Sequence, residues 1–143
     1  MNVETILRDK GRDVTTIAPD ASIGEAVALL RRVGIGALVV SRDDIAVDGI
    51  LSERDIVHGL ADRGAGLLDF KVEQLMTRRV FTCTPRDSVG DLMSMMTERR
   101  IRHIPVLRDG ALVGIISIGD VVKHRLDEME YETSSLRSFI AGA

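Results

Sequence analysis

Val113-Gly114-Ile115-Ile116-Ser117-Ile118-Gly119-Asp120-Val121-Val122 decides how the whole chain is read. Its apolar start, interrupted only by a glycine, reads as a buried strand. Ser117 stands where that strand ends, and Asp120 follows three residues later. Ser-x-x-Asp ahead of an apolar run is a helix start signal, so the stretch is a strand turning directly into a helix. The same object occurs earlier as Asp48-Gly49-Ile50-Leu51-Ser52-Glu53-Arg54-Asp55-Ile56-Val57. Two copies in one chain make an internal repeat.

Working outward, the flanking segments repeat as well. Val14-Thr15-Thr16-Ile17 is strand-like and ended by Pro19, and Val14 to Pro19 matches Val80-Phe81-Thr82-Cys83-Thr84-Pro85, 66 residues later. Ser22-Ile23-Gly24-Glu25 reads as a capping box and matches Ser88-Val89-Gly90-Asp91. Ile35 to Val40 is a buried strand, matched by Arg102-His103-Ile104-Pro105-Val106. The next strand, Ala46 to Leu51, leads into a helix reaching about Arg63. In the second copy Arg108-Asp109-Gly110 is a tight hairpin turn ahead of Ala111 to Ile116. Asn2 to Lys10 is a short helix closed by Gly11, echoed by Lys71 to Met76. Each unit is therefore β-α-β-β-α, with its first two strands parallel and its last two an antiparallel hairpin.

The expected architecture is α/β (α+β). Two repeats pack as one pseudo-twofold module with a shared core, because a unit of about 50 residues buries too little alone. Residues 1–70 hold the first repeat with its N-terminal helix, 71–130 the second, and 131–143 a C-terminal extension. In that extension Leu136, Phe139 and Ile140 have helical spacing. They suit a short amphipathic helix docking on the module or on a second copy; a frayed tail is the alternative.

Composition narrows the function. The chain has 143 residues, 45% apolar but only 3% aromatic, so its core is aliphatic. A net charge of −3 argues against nucleic acid as a partner. A single cysteine, Cys83, excludes an intrachain disulfide and fits a reducing compartment. On its strand it reads as a core residue. No apolar run approaches a membrane span, and the first residues lack a secretory pattern, so the expected location is cytoplasmic. His58 and His124 have no Cys or carboxylate at ligand spacing, which argues against metal. No nucleophile–base pair or phosphate-transfer loop is visible, so no enzyme activity is expected.

The doubled order of motifs, Gly49-Ile-Leu-Ser-Glu-Arg-Asp55 and Gly114-Ile-Ile-Ser-Ile-Gly-Asp120, resembles the CBS-domain family. The tandem pair is similar to a Bateman module standing alone, and the resemblance runs from Val3 to about Met129. It implies a regulatory sensor of adenosine-containing ligands: AMP, ADP, ATP, NAD or S-adenosylmethionine. It also implies a flat homodimer and an unidentified regulated protein. The resemblance assigns the ligand to Ile50, Ser52, Asp55, Thr77, Phe81, Arg102 and His103, and to Thr15, Gly36, Arg54, Ile115, Ser117 and Asp120. The chemistry fits: a carboxylate accepts both vicinal hydroxyls of a ribose, a helix start offers free N–H groups, and Arg forks onto phosphate. Ser-x-x-Asp is also a capping box that needs no ligand, and Arg54 is equally a surface helix residue. Arg99 and Arg100 read as a solvated helix end. A structural interaction domain with degenerate sites is the rival function.

The two clefts are expected to differ. Asp55 would gather Arg102 and His103 from the second repeat. Asp120 would gather Arg54, with Gly36 and Ala37 in place of Arg102 and His103, and would tolerate a ligand with less phosphate or a bulkier one filling the space beside Gly36.

Overall fold

The computed structural model describes residues 1–142. The first helix, α1 (Val3–Lys10), is capped by Asn2, whose side chain accepts from the Thr5 N–H, and ends at Gly11 with φ 92°. The first repeat follows as β1 (Thr16–Ile17), α2 (Ile23–Val33), β2 (Ala37–Val40), β3 (Gly49–Ser52) and α3 (Glu53–Arg63). Strand β1 pairs parallel with β2, and β2 pairs antiparallel with β3. Two 3-10 turns, Gly64–Asp69 and Val72–Gln74, then lead into the second repeat. This contains α4 (Val89–Arg99), β4 (His103–Arg108), β5 (Ala111–Ser117) and α5 (Ile118–Gly142). Asp109 and Gly110 both have positive φ, as the tight hairpin between β4 and β5 requires.

Local signals set most boundaries. The Ser22–Glu25 and Ser52–Asp55 capping boxes are both closed reciprocally. Ser88 accepts from the Asp91 N–H, one half of the box expected there. Three expected elements change. Strand β3 starts at Gly49 rather than Ala46, because Asp43 accepts from the Ile45 and Ala46 N–H groups and folds that segment into a turn. These two bonds hold the Asp43 carboxyl below its ordinary pKa. The segment from Val80 to Pro85 forms no strand and touches the β4–β5 sheet through one parallel bridge, Cys83 to Val106. The stretch beyond Met129 is no separate docked helix: it continues α5, with Leu136, Phe139 and Ile140 exposed.

The core is two clusters, not one, and each cluster borrows from the other repeat's flank. Val3, Ile6 and Leu7 of α1 pack with Leu92, Met96, Ile104 and Ile116. Val72 and Met76, from the connector, pack with Ile23, Leu38, Leu51 and Ile56. Glycine makes both insertions possible. A Cβ on Gly114 would stand 2.5 Å from Leu7 Cδ2, and one on Gly49 would stand 2.6 Å from Met76 Sδ. Cys83 is buried in the first of these clusters, and burial pushes its thiol up to about 12. No helix among the described residues is long and apolar enough to cross a membrane.

Candidate functional site

Strand β3 and the start of α3 form one wall of a cleft of about 380 Å³. At its base Asp55 has two distinct oxygens. Oδ2 accepts from the Ser52 N–H at 2.9 Å and from Ser52 Oγ at 3.0 Å, closing the cap. Oδ1 faces Thr77, whose hydroxyl donates to it over a long 3.4 Å. One carboxylate oxygen thus serves the fold, and the other is only weakly engaged. Thr77 is fixed beside Ile50 by paired backbone bonds, Ile50 N–H to Thr77 O at 3.0 Å and Thr77 N–H to Ile50 O at 2.9 Å.

The opposite wall comes from the second repeat. Arg99 and Arg100 at the end of α4, and Arg102 and His103 at the start of β4, line the cleft with Arg79 and Phe81. Two guanidinium groups lie over the Phe81 ring, Arg99 at 4.8 Å and Arg79 at 5.8 Å from its centroid. Arg54, between Glu53 and Asp55 at the start of α3, brings the arginines lining this cleft to five. The excess of cations makes this cleft a natural anion site. Burial, helped by the Lys10 ammonium and Arg102, holds the His103 imidazole below its ordinary value against the pull of Asp120 and Glu53.

Of the residues expected from sequence, Gly36, Ile50, Ser52, Arg54, Asp55, Thr77, Phe81, Arg102 and His103 line this one cleft. Arg54 and Gly36 were expected beside Asp120 and stand in the Asp55 cleft instead, since α3 begins on its wall. Thr15 lies half-buried just ahead of β1, outside the cleft. Ile115, Ser117 and Asp120 form a second, different arrangement. Ser117 and Asp120 pair as their counterparts do, with the Ser117 N–H donating to Asp120 Oδ2 at 2.8 Å. Here, however, Lys10 reaches in from the end of α1. Its Nζ donates to Asp120 Oδ2 at 2.6 Å and to the Ile115 carbonyl at 2.9 Å. Burial works to raise the Asp120 pKa, yet the Lys10 ammonium and the Ser117 bonds hold it below its ordinary value. Where a looser second cleft was expected, the protein's own Lys10 ammonium thus pairs with Asp120 through Oδ2.

The CBS domain profile matches residues 5–62 and again 72–127. The chain belongs to the CBS-domain family. The structure of the CBS-domain containing protein ATU1752 from Agrobacterium tumefaciens is 48% identical, with a TM-score of 0.85 over 87% of this chain and 99% of that one. The CBS domain-containing protein CBSX3, mitochondrial, of Arabidopsis thaliana is 32% identical over 98% of this chain and 72% of its own length. The CBS domain pair of protein MJ0100, solved in complex with 5′-methylthioadenosine and S-adenosyl-L-methionine, is 26% identical. Its TM-score is 0.79, covering 90% of this chain and 98% of that chain.

Within this CBS pair, sequence reasoning passed over Arg79, Arg99 and Arg100. A signal for Arg100 was present in the repeat. It aligns with Gly34, the residue that ends α2 with φ 75° and ψ 41°. Arg100 ends α4 in the same left-handed conformation, φ 54° and ψ 44°. Glycine takes that conformation freely, whereas an L side chain there costs about 1 kcal/mol. The cleft wall therefore carries an arginine at a position whose backbone favours glycine. Arg100→Gly is therefore expected to stabilise the fold by up to about 1 kcal/mol in urea unfolding while weakening anion binding in the cleft. A destabilised variant would show that Arg100 contributes packing rather than charge.

Proposed function

We propose that this CBS pair is a regulatory module that binds one adenosine nucleotide per chain in the Asp55 cleft and carries no catalysis. The observation that supports this most directly is a helix-start carboxylate and five arginines lining one cleft of about 380 Å³. Asp55 Oδ1 accepts ribose hydroxyls, Ile50 offers apolar surface and backbone groups to the base, and the guanidinium groups take phosphate. The ligands named for the MJ0100 pair share adenosine but lack phosphate. Here the density of arginine favours ATP or ADP over AMP, and AMP over NAD or S-adenosylmethionine. The bound phosphates draw Arg99 to His103 toward the start of α3, so ligand binding alters how the two repeats sit. That change is the signal to an unidentified regulated protein. The setting is cytoplasmic, in keeping with one unpaired cysteine, and nucleic acid is no partner for a chain of net charge −3.

The module acts as a homodimer. Val57 and Leu60 on α3 and Ile118 and Val122 on α5 are exposed apolar residues on the helices that follow each Ser-x-x-Asp turn.

Titration calorimetry and thermal shift with ATP, ADP, AMP, NAD, S-adenosylmethionine and adenosine test the ligand reading. Affinity is expected to climb with phosphate number, with one ligand per chain and a matching rise in melting temperature. Tighter binding of S-adenosylmethionine than of ATP would overturn the polyphosphate assignment. No response to any of them would leave a structural interaction domain with degenerate sites.

A further inference from the structure

The strongest unassigned feature lies on α5. Val122, Leu126, Met129, Thr133, Leu136 and Ile140 follow one another at alternating spacings of four and three residues. That is the seam of a two-stranded coiled coil, with Leu126, Thr133 and Ile140 at a and Val122, Met129 and Leu136 at d. The five apolar members are 51% to 65% exposed, so none of the described residues covers them. Thr133 fits a closed seam, because its hydroxyl already donates to the Met129 carbonyl at 2.9 Å. The helix meets its own module on another face, through the buried Val121 and His124. At about 100° per residue, that face stands well away from the seam, so a partner helix would not meet the module.

The flanking charges say what covers the seam. In a parallel pair, Arg125 faces Glu130 of the second copy and Glu132 faces Arg137, both attractive. In the antiparallel register of fullest overlap, Lys123 faces Arg137, Glu130 faces Glu130 and Glu132 faces Glu132, all repulsive. We infer that α5 pairs in parallel with the α5 of a second copy of this chain, tying two modules together through a short coiled coil. The seam is under three heptads long, but its first turns are already ordered by the module, which lowers the cost of helix nucleation. This rests on the homodimer reading above and deepens it, and it can fail while that reading stands.

Sedimentation equilibrium of the full chain tests it, with thermal unfolding of each variant to show that the module stays folded. The expected result is a wild-type dimer and a folded monomer for Met129→Glu/Leu136→Glu. A wild-type monomer would overturn both this inference and the homodimer. A dimer unaffected by the double change would overturn the seam and leave the homodimer standing on other faces. Arg137→Glu fixes the direction. In parallel it meets Glu132 and weakens the dimer about tenfold, and Glu132→Lys in the same chain restores it. In antiparallel it meets Lys123 and strengthens the dimer, which would overturn the parallel arrangement. Ile140→Cys is expected to form an interchain disulfide on oxidation, since only parallel pairing brings the two copies of that position together. Its failure to do so, with a wild-type dimer present, would likewise overturn it.

Discussion

Asp55→Asn is expected to weaken ATP or ADP binding by about 10- to 100-fold, while Asp120→Asn leaves it unchanged. A hydrogen bond to an ionised acceptor contributes about 1.5–3 kcal/mol, and the change removes the charge that a ribose would meet. The fold should survive. The Asn amide oxygen keeps an acceptor for the Ser52 N–H, which Asp55 Oδ2 now meets at 2.9 Å. Asp120 gives the contrasting result because Lys10 already neutralises it through Oδ2 and occupies the neighbouring Ile115 carbonyl. Calorimetry on both variants, with melting curves as the check on folding, distinguishes the two carboxylates. Equal losses from the two changes would sink the single-site reading.

The largest effect on stability is expected at Gly49. Its added Cβ in Gly49→Ala would stand 2.6 Å from Met76 Sδ and 2.9 Å from the Thr77 carbonyl oxygen. Met76 is buried in the first repeat's core, and the Thr77 carbonyl accepts from the Ile50 N–H at 3.0 Å. A backbone atom cannot turn aside as a side-chain tip can. The connector must therefore shift, breaking that bond and displacing the Thr77 hydroxyl from Asp55. The expected cost is about 2–3 kcal/mol, lowering the melting temperature by about 6–12 °C. Nucleotide affinity should fall with it, because Ile50, Thr77 and Asp55 lose their common register. Gly66→Ala, where a Cβ would meet nothing within 4 Å, is the control and should melt like the wild type. A Gly49→Ala protein that melts within a degree of the wild type would show that the connector does not pack so closely.

Local signals carried far in this chain, for a physical reason. A capping box, an Asp-Gly turn or a strand-to-helix switch depends on residues within a few positions of one another. Ser52 with Asp55, Ser22 with Glu25, and Asp109 with Gly110 could therefore be placed from their neighbours alone. Repetition added what no single motif could, because two copies in the same order identify the family and the β-α-β-β-α unit. The gathering of Asp55 with Arg102 and His103 followed from that resemblance, and the cleft holds all three.

What depended on distant partners was decided only by the tertiary structure. Nothing near Lys10 in sequence shows that its ammonium ends on Asp120, 110 positions away. The strand expected at Val80 to Pro85 had the right residues, yet only Cys83 finds a ladder partner. Arg99 and Arg100 read as a solvated helix end because their cleft is built by the other repeat. The exchange of flanks, with Leu7 against Gly114 and Met76 against Gly49, was equally hidden. Sequence specifies which faces are apolar and where elements begin. Which face meets which is settled by the closeness of packing, and here that closeness turns on the missing side chains of two glycines.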